Sequence, residues 1–212
     1  MVAEPGFDLR NVVQHFQRSL IEEEDISLEE YILAWRELNK MFLLMSRSFS
    51  FVQSDVEEKL DILETFRCGP EGENIATIRS MVKYEQQVQR CAQTKPPSAC
   101  RTLLRLHRAQ EYVMRLMWDT YEAADKDKMG PIAKKAYDDT LAKYHSWFVR
   151  KGVHFAVRTL SSNRRQMINN LSSDGMKPSD ADAAMENLVS SGRAVYDRVN
   201  TLYYDHELLD LP

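Results

Sequence analysis

Glycine and proline divide this chain into segments whose apolar residues recur with a helical period. Nearly all of the seven glycines and seven prolines fall between such segments, for example at 69–72, 96–97, 130–131 and 175–178. Within the segments, apolar residues return every three or four positions, as on one face of an α-helix. No segment shows the strict alternation that is typical of β-strands. The sequence therefore predicts an all-α chain of about eight helices.

The length of the chain fits one domain. With 212 residues, of which 43% are hydrophobic, it can bury a sizeable core. No repeat of fixed period and no low-complexity linker divides it. We therefore expect a single domain over residues 1–212, with its helices packed in layers around one core.

Two capping-box patterns mark places where helices are expected to begin. They are SLEE at 27–30 and SDVE at 54–57. In such a box, the serine hydroxyl and the glutamate side chain satisfy free N–H groups at the helix start. The second box predicts that a helix restarts at Ser54, that Asp55 lies in its first turn, and that Lys59 lies one turn further along the same face.

The segment 98–118, SACRTLLRLHRAQEYVMRLMW, places three arginines on one stripe of a helix that is otherwise mostly apolar. Arg101, Arg105 and Arg108 are spaced by four and three residues, and like charges at such spacings repel by roughly 0.2 to 0.5 kcal/mol per pair. If Ser98 caps the helix, Arg101 also lies at the end that disfavours cations. A bound phosphate would turn this repulsion into attraction, because guanidinium groups form paired hydrogen bonds with phosphate oxygens. The alternative interpretation is a solvated basic face, the usual role of charged runs on helices.

Asp55, Lys59 and His145 are further candidates for a site, although each has a plain structural interpretation. Asp55 and Lys59 could form a surface ion pair worth only about 0.3 to 0.5 kcal/mol. His145 lies among aromatic residues in YHSW at 144–147, where a histidine is more often structural than a ligand.

A pair of aromatic residues and a pair of basic residues follow closely after His145. Trp147 and Phe148 stand beside Arg150 and Lys151. Such a cluster is typical either of the core and its rim or of a patch that rests on a membrane surface. We treat these four residues as candidates for membrane docking.

Composition and motifs exclude several classes of function. The net charge of −4 argues against bulk binding of nucleic acid, for which a basic excess supplies the affinity. Three cysteines without a CxxC pair and five histidines without ligand spacing predict no metal site, and we expect no cofactor. The sequence contains neither a GxSxG motif nor a glycine-rich phosphate loop, so catalysis has no support. The first ten residues do not resemble a signal peptide, and the longest apolar runs are far too short to span a membrane, so a cytoplasmic protein is expected.

Taken in order, three motifs resemble the glycolipid transfer protein superfamily. They are DxxxK at 55–59, RxxxRLHR at 101–108 and YHxW at 144–147, and the similarity extends to LLDLP at 208–212. The resemblance implies an all-helical two-layer sandwich that encloses one sphingolipid and carries it between membranes without catalysis, touching the membrane surface transiently as a peripheral protein. Within the superfamily, the chain is most similar to members that carry phosphorylated ceramide.

The resemblance also implies roles for the candidate residues. Asp55 would accept hydrogen bonds from the ceramide amide nitrogen and hydroxyl, and His145 would donate one to the amide carbonyl. The phosphate would be held by basic residues, namely Lys59, Arg101 and Arg105, with Arg108 assisting. Members that carry sugar headgroups have asparagine at the position of Lys59 and tryptophan at that of Arg105, so the expected ligand is ceramide 1-phosphate.

Three alternatives remain open on the sequence alone. The nearest is a carrier of sugar-bearing sphingolipids, which Lys59 and Arg105 disfavour. Another is a helical adaptor that senses a phosphosphingolipid without transferring it. The last is a phospholipid-cleaving enzyme that uses His145 and Asp55.

Overall fold

Nine α-helices form most of the part of the chain that this computed structural model describes, residues 6–22, 24–172 and 178–212. Within those ranges the structure contains isolated β-bridges and no strand, so the all-α prediction is confirmed. No helix there is long and apolar enough to cross a bilayer. The helices are α1 (Leu9–Ser19), α2 (Leu28–Met45), α3 (Ser50–Cys68), α4 (Ile78–Gln87), α5 (Ala99–Glu122), α6 (Met129–Asp139), α7 (Trp147–Arg158), α8 (Arg164–Leu171) and α9 (Pro178–Asp205).

Five of these helices pack in a closed ring. α2 lies between α1 and α3, α3 packs on α5, α5 packs on α9, and α9 returns to α1. Around this ring, α4 and α6 lie on α5, α7 lies on α6, and α8 contacts α2 and α9. Buried apolar side chains from all nine helices form one continuous cluster, so each helix contributes its apolar stripe to the same core.

The start of α5 is held by a buried carboxylate. Ser98 caps the helix, as predicted, because its Oγ accepts a hydrogen bond of 3.0 Å from the Arg101 N–H. Glu85, which is fully buried, accepts from the N–H groups of Ala99 at 2.9 Å and Cys100 at 2.8 Å. The Arg90 Nε also donates to Glu85, at 3.1 Å. A negative charge therefore stands at the helix end where the free N–H groups carry partial positive charge.

The predicted helix restart at Ser54 is wrong. α3 begins at Ser50, four residues earlier, and its N-cap residue Phe49 makes no side-chain capping bond. The capping hydroxyl in this region belongs to Ser46, which accepts from the Ser48 N–H at 3.2 Å and opens the 3₁₀ turn Arg47–Phe49. Because Phe49 is buried and fixes that turn in the core, α3 already runs when the chain reaches Ser54. Asp55 consequently lies in the second turn of α3.

Gly130 and Pro131 were expected to lie between helices, but they form the first turn of α6. A Cβ atom at Gly130 would lie 2.9 Å from the Val157 carbonyl oxygen and 3.3 Å from that of Leu160. Only glycine lets the start of α6 approach the end of α7 so closely. This contact fixes α7 against the rest of the fold.

We expect Glu85→Ala to destabilise the protein by about 3 to 5 kcal/mol, because it leaves two helix N–H groups and the Arg90 guanidinium without their buried acceptor. Glu186→Ala, an exposed glutamate on α9, is the matched control and should change stability by less than about 0.5 kcal/mol. Urea unfolding of both variants measures the difference. Equal stability of the two variants would show that the carboxylate does not hold α5.

Candidate functional site

The three predicted arginines lie together on the exposed stripe of the first half of α5. Their neighbours on the helix, including Leu104 and Leu106, are buried, whereas Arg101, Arg105 and Arg108 are partly exposed. Burial lowers the pKa of Arg105 from its ordinary value, and the charges of Arg101 and Arg108 lower it further, while Asp55 opposes them. Burial likewise lowers the pKa of Arg108. The stripe is therefore a concentration of positive charge that an anion would stabilise.

Main-chain oxygens of the segment 208–212 lie against this stripe. Arg101 Nε and Arg105 Nη2 both donate to the main-chain oxygen of Pro212, at 2.5 and 2.7 Å. Arg108 Nη2 donates to the carbonyl oxygen of Leu209 at 2.7 Å. No pattern in the sequence predicts these contacts.

Helix α3 brings Asp55 and Lys59 to the same surface. Lys59 Nζ lies 2.6 Å from Asp55 Oδ1 and also donates to the Asp55 carbonyl oxygen at 3.1 Å. The Asp55 side chain is 63% exposed, whereas that of Lys59 is 17% exposed. The Asp55 charge raises the pKa of both Arg105 and His145, so its carboxylate lies near the basic stripe and near the histidine.

His145 lies at the junction of α6 and α7, where Tyr137 orients it. The Tyr137 hydroxyl is 2.9 Å from His145 Nδ1. Burial raises the pKa of Tyr137 to about 12, so the phenol keeps its proton. Burial lowers the pKa of His145, so the imidazole is neutral at pH 7. When Tyr137 donates to Nδ1, the ring proton is on Nε2, which is then a hydrogen-bond donor.

The histidine inside the RLHR motif, unlike His145, is buried in the core. His107 is buried, stacks on Tyr196 with ring centroids 4.1 Å apart, and lies 3.3 Å from Asn200 Oδ1 through Nε2. Burial lowers its pKa to about 4. His107 therefore joins α5 to α9 as a neutral residue, while Arg108 beside it faces the ring of Tyr144 at 4.2 Å.

The docking candidates form an exposed surface at the start of α7. Residues 146–152 are all exposed, including Arg150 and Lys151, and Phe148 is 80% exposed. Lys151 Nζ lies 5.4 Å from the centroid of the Trp147 ring. Phe155, which the sequence analysis missed, extends the same helix outward and is 69% exposed. A helix that presents this many apolar side chains to solvent is typical of a surface that binds a membrane or a protein.

One cluster in the described ranges has the atoms of a metal site. A Glu85 oxygen and the sulfurs of Cys91 and Cys100 lie within 4.8 Å of one another. The Glu85 oxygens, however, already accept from two helix N–H groups and from Arg90. A cation here would compete with those bonds and meet the Arg90 charge, so the cluster is a helix anchor.

Comparison with known proteins identifies the family of the chain. A family model described as glycolipid transfer protein (GLTP) matches residues 26–173. The chain belongs to this family. It is 33% identical to a ceramide-1-phosphate transfer protein of Rattus norvegicus and 34% identical to one of Danio rerio, with 98% or more of each chain covered. These relatives of the GLTP family are lipid transfer proteins, not enzymes.

Solved structures of ceramide-1-phosphate transfer proteins have the same fold as this chain. The apo form of mouse ceramide-1-phosphate transfer protein superposes with a TM-score of 0.90 at 32% identity, over 97% of this chain and 100% of the other. The human protein in complex with 12:0 ceramide-1-phosphate gives 0.88 at 31% identity, over 98% and 100%. The predicted all-α two-layer fold of this family is therefore confirmed.

The neighbours of His145 should shift its pKa in opposite directions. Asp55 stabilises the protonated imidazole, whereas Lys59 destabilises it. We therefore expect Asp55→Asn to lower the pKa of His145 further and Lys59→Met to raise it. An NMR titration of the imidazole resonances measures both shifts. A His145 pKa that neither variant changes would separate the histidine from the charged groups.

Proposed function

We propose that this protein carries ceramide 1-phosphate between membranes without altering it. The observation that carries the proposal is the cluster of Lys59, Arg101, Arg105 and Arg108 beside one hydrogen-bond acceptor, Asp55, and one donor, His145. Relatives that match almost the whole chain are named ceramide-1-phosphate transfer proteins, and the human one binds 12:0 ceramide-1-phosphate. Similarity in sequence and the chemistry of the site thus support the same ligand.

In this proposal, the basic residues hold the phosphate. A phosphate monoester carries up to two negative charges and three acceptor oxygens. Arg101, Arg105 and Arg108 offer guanidinium donors along one helix face, and Lys59 adds a fourth cation from α3. Binding offsets the repulsion within the arginine stripe, which a neutral sugar cannot do.

Asp55 and His145 recognise the ceramide amide. The exposed Asp55 carboxylate accepts hydrogen bonds from the amide N–H and the neighbouring hydroxyl. The Nε2–H of His145 donates to the amide carbonyl, and Tyr137 acts as a positioning residue by holding Nδ1. Since an amide presents one donor and one acceptor, this pair matches both.

The hydrocarbon chains lie in the apolar interior between the helical layers. Buried methionines are numerous on α2 and α5, and their flexible side chains can adapt to a flexible ligand. They are Met41, Met45, Met114 and Met117.

The protein docks on membranes through α7. Trp147, Phe148 and Phe155 enter the interface, while Arg150 and Lys151 contact anionic lipid headgroups. The contact is transient and peripheral. The free thiols of Cys68, Cys91 and Cys100 fit a reducing compartment, and we place the carrier in the cytoplasm.

Transfer of fluorescent ceramide 1-phosphate between vesicles tests the proposal, with galactosylceramide and phosphatidic acid as competing cargoes and the mass of the recovered ligand as a check. Selective transfer of intact ceramide 1-phosphate is expected. Binding without transfer would indicate an adaptor, a changed ligand mass would indicate an enzyme, and preference for galactosylceramide would overturn the headgroup assignment.

In the same assay, Arg105→Leu should slow transfer of ceramide 1-phosphate about tenfold or more, since it removes charge-assisted hydrogen bonds worth roughly 1.5 to 3 kcal/mol. Arg18→Leu, on the exposed face of α1, removes the same charge away from the site and should transfer normally. A normal rate for Arg105→Leu would show that the phosphate binds elsewhere.

For docking, Phe148→Ser should weaken binding to phosphatidylserine-containing vesicles several-fold, because it removes an exposed apolar side chain that the bilayer would bury. Val88→Ser, an exposed residue at the end of α4, serves as the control. Vesicle sedimentation measures binding. Equal loss in both variants would show that α7 is not the docking surface.

A further inference from the structure

The segment 208–212 places an oxygen atom at the point where two arginines of the stripe converge. Arg101 and Arg105 stand one helical turn apart, yet both donate to the main-chain oxygen of Pro212, at 2.5 and 2.7 Å. The third arginine, Arg108, donates to the carbonyl oxygen of Leu209. An oxygen that two guanidinium groups share is in the place where a phosphate oxygen would bind.

The chain is firmly held to α9 up to Leu208, whereas the residues after Leu208 are held less firmly. The Leu208 N–H donates to the Tyr203 carbonyl oxygen at 2.8 Å, and its side chain is buried, so the chain is fixed to α9 up to this residue. Just before it, Glu207 turns the chain with a φ of 57°. After it, Leu209 and Leu211 are only partly buried against the core. Residues 209–212 can therefore leave the arginines without unwinding α9.

The charges at the site favour exchange of this segment for an anion. The Leu209 carbonyl oxygen is a neutral acceptor, so it satisfies the Arg108 donor but leaves the charge of that guanidinium group uncompensated. A phosphate monoester would bring up to two negative charges and three acceptor oxygens to the same donors. The lowered pKa of Arg105, caused first by burial and then by its arginine neighbours, is consistent with charge that remains unbalanced.

We propose that residues 209–212 are an internal competitor for the phosphate site: they occupy Arg101, Arg105 and Arg108 in the free protein, leave when a phosphate monoester binds, and return as it departs. This inference rests on the proposed function of the site. A competitor of this kind lowers the apparent affinity for every ligand that must displace it, since only the open fraction of the protein binds. It also gives the arginines a partner at the moment of release, which eases delivery of cargo.

The decisive experiment compares the full chain with a variant that lacks residues 209–212, using inorganic phosphate as the probe. NMR resonances of the arginine Nε–H groups follow the titration. We expect the shortened chain to bind phosphate about tenfold more tightly or better. Unchanged affinity would overturn the proposal. Weaker affinity would overturn it as well, because it would mean that the segment aligns the arginines for the ligand.

A point variant of the full chain provides a second test in case the shortened chain folds poorly. Leu211→Ser keeps every main-chain oxygen but loosens the apolar contact that holds the segment, so it should raise phosphate affinity by a smaller factor. Ile132→Ser, also partly buried but on α6, is the matched control and should leave affinity unchanged. An equal effect of the two substitutions, or no gain from Leu211→Ser, would contradict the competitor.

Two lipids separate this inference from the proposed function. Ceramide has the amide but no phosphate, so its binding should be the same with and without residues 209–212. Binding of ceramide 1-phosphate should tighten in the shortened chain. If the full chain does not bind ceramide 1-phosphate, the proposed function fails. If it binds the lipid with an affinity that the deletion does not change, only the competitor fails.

Discussion

The buried carboxylate of Glu85 makes the position of the basic stripe possible. Arg101 lies in the first turn of α5, at the end of a helix that repels cations. Glu85 accepts from two N–H groups of that same turn and places a negative charge there, in the interior. The buried Glu85 carboxylate thereby offsets the partial positive charge of the helix end. The exposed face of the same helix can then carry three arginines. In this fold, the core determines where an anion site can be.

The proposed site divides its chemistry between separate helices. α5 supplies positive charge, α3 supplies the Asp55 acceptor and the Lys59 cation, and the junction of α6 and α7 supplies His145. Because α3 packs on α5 and α6 packs on α5, the central helix sets the distance between these groups. A ligand that offers a phosphate and an amide on adjacent atoms engages all of them, whereas a ligand with only one of these groups leaves part of the site unused.

The parts of the site that lie along a single helix could be predicted from the sequence. The spacing of the three arginines and the cap at Ser98 are local, so they could be predicted without the fold. Glu85 and Tyr137 could not, because a glutamate on α4 and a tyrosine on α6 gain their roles only when those helices meet α5 and His145. The Ser54 box failed for a related reason: a four-residue pattern cannot show that buried Phe49 has already started the helix.

The proposed docking face and headgroup site are neighbours along the chain. This proximity affects how a bound lipid would leave the protein. Only Ser146 separates His145 from Trp147, and Ser146 caps α7 with its hydroxyl. The other end of α7 is tied to the region before α3 by the contact between Thr159 and Ser46. When α7 rests in the interface, the residues proposed to hold the amide lie beside the bilayer surface. A departing lipid then re-enters the membrane next to its binding site, at the moment when residues 209–212 can take the phosphate's place on the arginines.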